Sequence, residues 1–228
     1  MRKNQARLCI IGRVEHKMAR RVAHPARSAR DPSEEARFQD LIARCQQGDQ
    51  AAYEALYNAV ASDIYRLAYS LLLHPQDSED VVQEVMVYVF RSLRQFDPKR
   101  GSFRTWLYTI TVSRCRNARR RKWLPTVALS SLLSTKSEPR APSSQSPEAA
   151  VAWRDACESI ERALSKLSPR LREAVVLRYG QGLTYREMAE VLDCPQKTAE
   201  SRVRLAHEAL RNSLSEVELG LLEEFGSA

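Results

Sequence analysis

The stretch Asp77-Ser78-Glu79-Asp80-Val81-Val82-Gln83-Glu84-Val85-Met86-Val87-Tyr88-Val89-Phe90 decides the fold class. Val81, Val82, Val85, Met86, Val89, Phe90 and Leu93 recur at helical spacing, which predicts one buried stripe on an α-helix. Asp77, Asp80, Gln83 and Glu84 fall on the other side, and Asp77 is placed to cap the helix. Any surface helix carries a polar outer face, and acids in a first turn are favoured by the helix dipole, so the residues alone leave the role of this face open.

Working backwards, His74-Pro75 reads as a stop for an earlier helix that carries Tyr53, Leu56, Tyr57, Val60, Ile64, Leu67, Leu71 and Leu72. Asp49 is its expected cap. Before it, from Glu34, Phe38, Leu41, Ile42 and Cys45 mark another helix, with Gly48 at its C-terminal end. Working forwards, the quoted helix is expected to end near Phe96-Asp97-Pro98. Ser102 then caps a fourth helix through Phe103, Trp106, Leu107, Ile110 and Val112 into Arg119-Arg120-Arg121-Lys122. Four such helices with short connections predict a small all-α domain over residues 34–123.

The chain has 228 residues, enough for one large domain or two small ones, and its seven glycines argue against a Rossmann-like α/β chain. Charge is unevenly placed. Residues 1–33 carry a net +7, residues 34–98 a net −6 and residues 99–123 a net +9, within a total of +8. An acidic segment directly before a strongly basic one points to two surfaces for two partners, the basic one suited to a polyanion. Residues 1–33 are expected to be a basic disordered tail, with Met18 as an alternative start. The five cysteines, Cys9, Cys45, Cys115, Cys157 and Cys194, form no CxxC pair and indicate neither a disulfide framework nor a zinc knuckle. They read as small buried apolar groups in a reducing cytoplasm. No apolar run has the length of a membrane span, so no membrane insertion is expected.

Residues 124–152 hold four of the ten prolines and seven serines, which predicts a flexible linker. A second helical domain is expected over residues 153–215. Its first helix, opened by Ser146-Pro147, carries Val151, Ile160, Leu164 and Leu167; Ser168-Pro169 opens the next, through Leu171, Val175, Val176 and Leu177 to Tyr179-Gly180. Thr184-Tyr185-Arg186-Glu187 spells a capping box for a short helix. After Asp193-Cys194-Pro195 a longer helix runs from Gln196 to about Leu214, with Val203, Leu205, Leu210 and Leu214 expected inward. Short helix, tight turn and longer polar helix predict a helix-turn-helix. Residues 216–228 form an acidic tail, readable as a docking helix or a frayed terminus.

Two sets of residues are candidates for nucleic-acid contact. Gln196, Lys197, Thr198, Glu200, Ser201, Arg202 and Arg204 begin the longer helix and suit base edges and phosphates, while Thr184 and Tyr185 are placed to position a phosphate at the shorter one. On the fourth helix, Arg114, Arg116, Arg119, Arg120, Arg121 and Lys122 crowd nine residues, with Trp106, Tyr108 and Trp123 as aromatic surface. Cations track a phosphate backbone and aromatic faces hold unstacked bases. Trp106 and Phe103 suit a core equally well by spacing.

Together these residues resemble the extracytoplasmic-function group of bacterial RNA polymerase sigma factors, over about residues 36–123 and 153–214. Asp77-Ser78-Glu79-Asp80-Val81-Val82-Gln83-Glu84 looks like the group's motif for docking on core RNA polymerase. The resemblance implies that Asp77, Asp80, Gln83 and Glu84 meet the β′ clamp coiled coil. Phe103-Arg104-Thr105-Trp106-Leu107-Tyr108-Thr109-Ile110 resembles the segment that opens the promoter minus-10 element, which implies DNA contact by Trp106, Tyr108, Ser113, Arg116, Asn117, Arg119, Arg120 and Arg121. Leu167-Ser168-Pro169-Arg170 onward resembles the second domain, implying contact with the β flap and, through the helix-turn-helix, the minus-35 duplex. Two departures stand out: Thr111-Val112-Ser113 with Asn117 where the group shows Ala-Arg-Asn and Asp, and Lys197-Thr198-Ala199-Glu200-Ser201-Arg202 where it shows Gly-Thr-Val-Lys-Ser-Arg. An altered promoter preference is expected from both. The resemblance also implies an anti-sigma partner, no cofactor and no catalysis. A stand-alone helix-turn-helix regulator is the alternative; it accounts for the second domain but not for the acidic helix beside the arginines. An enzyme has little support, since there is no glycine-rich phosphate loop or HExxH, and His16, His24, His74 and His207 are scattered.

Overall fold

Caps and apolar stripes determine where this chain turns. The computed structural model describes residues 32–123, 158–212 and 214, and every regular element among them is helical. α1 spans Pro32–Gln46, α2 Gln50–Leu72, α3 Pro75–Ser92 and α4 Phe103–Trp123, with a 3-10 turn Leu93–Gln95 after α3. Residues 158–166 form α5. α6, Pro169–Val175, widens into a π turn over Val176–Gly180; α7, Tyr185–Leu192, and α8, Gln196–Arg211, complete the fold. The start at Met18, the linker over 124–152 and the acidic end lie outside the described residues, as does the expected tail apart from Pro32 and Ser33, which open α1.

The helix starts follow local chemistry. Asp49 Oδ1 accepts the backbone N–H of Ala51 at 2.9 Å, capping α2 as expected, and Gly48 supplies the left-handed turn before it at φ 86°. The third helix begins earlier than expected. His74 rather than Asp77 is its cap, with His74 Nδ1 accepting the Asp77 N–H at 3.3 Å and Pro75 in the first turn. Proline lacks the N–H that a first turn leaves orphaned, so His74-Pro75 ends α2 and starts α3 at once. The chain manages this by placing Leu73 at φ 53°, where its N–H donates to Tyr69 O at 2.7 Å. Ser102 Oγ accepts the Thr105 N–H at 3.1 Å and caps α4 as expected.

The first core is the meeting of three stripes. Leu56, Val60, Ile64, Leu67 and Leu71 on α2 face Val81, Val85 and Val89 on α3, and Phe103, Leu107 and Val112 on α4 close the layer. Phe38 of α1 packs its ring 5.0 Å from Phe103. In the second half, Leu177, Leu183, Met188, Val191, Val203 and Leu210 are buried between α6, α7 and α8. Leu205 does not join them. It is 44% exposed, because at 100° per residue it stands about 200° around α8 from Val203, and Ala206 takes the inward place. α8 also ends at Arg211, short of the expected Leu214, which is nonetheless buried.

The two domains pack against one another. α4 lies along α7, and α2 touches α6 and the π turn, so the buried residues form one continuous cluster. Across this seam Tyr69 O–H donates to Glu161 at 2.8 Å and the Arg172 guanidinium donates to Leu71 O at 3.1 Å. The sequence reading, which expected two tethered domains, gave no sign of the seam.

Candidate nucleic-acid interface

α3 buries Val81, Val82, Val85 and Val89 against α2 and α4 and so turns Asp80 and Gln83 to solvent. Val87, 50% exposed, shares that outward side, four residues from Gln83 and seven from Asp80. The helical period already leaves Val87 out of the buried stripe, but the sequence reading gave it no role. Asp77 and Glu84 sit on the flank toward α4: Lys122 Nζ pairs with Asp77, and Arg121 donates to Glu84 Oε1 at 2.8 Å. The acidic helix and the arginine-rich helix thus meet along one edge. Arg114 lies over the Tyr88 ring at 5.2 Å on the same edge.

The aromatic residues of α4 divide. Tyr108 is fully buried, with its hydroxyl accepting from Arg104 Nη1 at 2.9 Å, so it is a core residue and not the stacking platform expected from its position. Its place one turn after Arg104, on the stripe of Phe103 and Leu107, puts it inside. Trp106 is half-buried, its ring 5.4 Å from Phe96 and 5.8 Å from Phe103. The side chain of Trp123 lies outside the described residues.

Arg104 was missed as a structural residue. It donates to both Glu34 oxygens, at 3.0 and 2.6 Å, and to Asp63 at 2.9 Å. Burial alone would lower its pKa, but Tyr108, Glu34 and Asp63 outweigh that and hold the guanidinium above its ordinary value. Arg104 is therefore a charged group held at the start of α4 by Glu34, Asp63 and Tyr108.

The basic end of α4 has two faces. Ser113, Arg120, Arg121 and Lys122 are exposed and Asn117, which accepts from Arg120, is half-exposed. Arg116 and Arg119 turn instead toward the second half. Arg116 Nη2 donates to Glu173 Oε2 at 2.7 Å and Nε to the same oxygen at 3.1 Å, while Arg119 donates to Glu173 Oε1. Glu173 is 1% exposed. Its hydrogen bond to Arg116 is the leading cause that raises the Arg116 pKa. Glu173 lies on α6 within a stretch read only for its apolar residues, and no local signal ties it to a partner more than fifty positions away.

In the helix-turn-helix, Gln196, Lys197, Ser201 and Arg204 are exposed at the start of α8, with Thr198, Glu200 and Arg202 half-exposed beside them. Glu200 accepts from Gln196 at 3.0 Å, and Arg202 approaches Cys194 Sγ at 3.8 Å. The predicted capping box forms: Glu187 Oε2 accepts the Thr184 N–H at 2.9 Å, and Thr184 Oγ1 accepts the Glu187 N–H at 3.3 Å. A buried carboxylate thus occupies the end of α7 where Thr184 and Tyr185 were expected to hold a phosphate, and Tyr185 lies 5.0 Å beneath Arg178. Of the cysteines, Cys45 and Cys115 are buried and Cys194 is half-buried; burial pushes the Cys115 thiol up to about 12. No described helix is long and apolar enough to cross a membrane.

A helical domain with an arginine-rich helix, packed on a helix-turn-helix with a polar recognition face, defines a DNA-binding transcription factor. Residues 56–124 match the Sigma-70 region 2 family and residues 157–210 match Sigma-70, region 4. The chain is 33% identical over 192 residues to the ECF RNA polymerase sigma-E factor of Escherichia coli K12, covering 80% of this chain and 96% of the relative. It is 28% identical to the ECF sigma factor SigW of Bacillus subtilis over 180 residues, covering 77% of this chain and 96% of SigW. The solved structure of CnrH in complex with the cytosolic domain of CnrY superposes with a TM-score of 0.56 at 26% identity, over 76% of this chain and 94% of CnrH. The RpoE of Bartonella quintana, solved with the anti-sigma factor NepR, shares the fold at a TM-score of 0.53 and 21% identity, over 70% of this chain and 94% of that one. This chain belongs to the extracytoplasmic-function family of RNA polymerase sigma factors. It is a transcription initiation factor that binds RNA polymerase.

Proposed function

We propose that this sigma factor docks on the β′ clamp coiled coil through the outward face of α3, holds melted non-template strand along α4, and sets the start of α8 in the major groove of the minus-35 duplex. One observation carries the reading: Asp80, Gln83 and Val87 are exposed on the helix whose flank meets the arginine-rich end of α4. A protein-docking face and a phosphate-binding face therefore adjoin, as an initiation factor needs when it opens DNA beside the enzyme it recruits.

On α4, Arg120, Arg121 and Lys122 supply phosphate contacts and Trp106, Ser113 and Asn117 meet the strand; Arg116 and Arg119 join them when the seam parts. DNA stacking averages about 1.4 kcal/mol per step, so a few such contacts are the right scale to offset local melting. Gln196, Lys197, Ser201, Arg202 and Arg204 read and anchor the upstream duplex, with Lys197 and Arg204 on phosphates. The second half also meets the β flap. An anti-sigma protein is a further partner, a reading supported by the likeness to chains solved with such factors. The site of action is the cytoplasm, where polymerase and promoter are.

The test is promoter-dependent run-off transcription by purified chain with bacterial core polymerase. Initiation that core alone does not achieve supports the reading. Tight duplex binding without association with core would replace it with the stand-alone regulator.

A further inference from the structure

Arg116 and Arg119 cannot serve DNA in the arrangement described above. Both end on Glu173, whose carboxylate is almost wholly buried between α4 and α6. We propose that Glu173 is an internal mimic of the promoter phosphate: it occupies Arg116 and Arg119 and holds the free chain closed until DNA displaces it. The inference rests on the reading of α4 as the strand-binding helix.

Geometry and charge support the mimic. A carboxylate gripped by Arg116 through Nε and Nη2, and by Arg119 from the other side, presents its oxygens much as a phosphate would. The match is incomplete. One carboxylate faces two guanidiniums, and Arg119 Nη1 is buried without a hydrogen-bond partner. Arg172, close by, has its pKa lowered by burial and then by the charge of Arg119, so the seam carries excess positive charge. A buried ion pair roughly breaks even against hydration of its separated partners, so Glu173 closes the seam without locking it. Two further polar contacts of the seam, Tyr69 with Glu161 and Arg172 with Leu71 O, are single hydrogen bonds. Nucleic acid offers a row of phosphates and the release of counterions, which a single carboxylate does not. Domain seams of mixed polarity within one chain part readily.

While Glu173 holds Arg116 and Arg119, these two arginines face α6, and only Arg120, Arg121 and Lys122 of the cluster remain exposed. Full engagement of a strand by α4 then requires the seam to part.

The experiment uses the full chain and two readouts, the radius of gyration by small-angle X-ray scattering and the affinity for a fluorescein-labelled single-stranded oligonucleotide of mixed sequence. Glu173→Gln keeps the shape and removes the charge; the expected result is a larger radius and binding about tenfold tighter, the scale of one charge-assisted contact. Tyr69→Phe loosens the seam away from Arg116 and Arg119, and its expected result is a smaller change in the same direction. A circular dichroism spectrum identical to wild type checks that both variants fold, and should Glu173→Gln not fold, Tyr69→Phe decides alone. Unchanged radius and affinity in the folded variants, with Arg116→Ala weakening binding, overturns the gate and leaves the strand-binding role of α4 standing. If Arg116→Ala has no effect on binding even in the Glu173→Gln background, the reading of α4 fails and the gate falls with it.

Discussion

The Arg104 guanidinium lies 2.6 Å from the Glu34 carboxylate, seventy positions earlier in the chain, and joins the start of α1 to the start of α4. The same side chain reaches Asp63 on α2 and the buried hydroxyl of Tyr108. One residue thus ties three of the four helices of the first half, at the end opposite the arginine cluster. Glu35 reinforces the junction by accepting the Phe103 N–H at 3.1 Å.

Arg104→Met keeps much of the stem's packing and removes the Arg104 donor from the Glu34 carboxylate and the Tyr108 hydroxyl, while Asp63 keeps its pairing with Arg66. The expected loss is about 3–5 kcal/mol, as for a buried pair with one partner removed. Urea unfolding measures it. A loss under about 1 kcal/mol would mean that the bridge behaves as an exposed pair.

Replacing Asp80 and Gln83 together by alanine removes the polar part of the outward face of α3 and touches no core residue. Affinity for core polymerase should fall about tenfold or more, with helix content unchanged. Equal affinity in a fluorescence titration would take core docking away from this helix.

Arg202→Ala is expected to weaken upstream duplex binding by about 1–3 kcal/mol, most of it dependent on sequence, if the guanidinium reaches a base edge. Mobility shifts on matched and scrambled duplexes separate the cases. A uniform loss would make Arg202 a phosphate contact.

Thr184→Ala removes the hydroxyl that accepts the Glu187 N–H and donates to Glu187 Oε2, and leaves the backbone arm of the capping box in place. The helix-turn-helix should lose about 1 kcal/mol, and Thr184→Ser should restore most of it. The thermal midpoint reports both.

The Cys115 thiol, raised by burial to about 12, is protonated in the fold over a range where an unfolded thiol ionises. The unfolded chain therefore binds fewer protons there, and stability falls as pH rises from about 9 toward 12. Cys115→Ala removes the share of this thiol at the cost of a small cavity, while Cys45, whose thiol burial also raises, keeps its own. Thermal midpoints between pH 8 and 10 test it, ahead of most tyrosine ionisation; an equal slope in both proteins would count against the thiol.

Local chemistry was legible in the sequence. The caps at Asp49, Ser102 and Thr184 are formed by side chains within three residues of the groups they satisfy, so a short window contains the whole interaction. The valine stripe of α3 was legible for the same reason, since helical period alone sorts buried from exposed. Where short-range rules competed, the reading slipped by a turn or less: His74 displaced Asp77 as a cap, and Leu205 turned outward because Val203 and Ala206 already faced in.

By itself, the sequence determined that the chain is helical, that an acidic helix precedes an arginine-rich one, and that a helix-turn-helix follows. These depend on period, capping and composition, which are local. Only the tertiary structure decided which arginines of α4 face solvent and which face Glu173, that Arg104 and Tyr108 are internal, and that the two halves share a seam. Arg116, Arg119, Arg120 and Arg121 are alike in sequence. Their environments differ because α6 and α7 approach α4 from one side, and that approach is set by contacts between residues more than fifty positions apart.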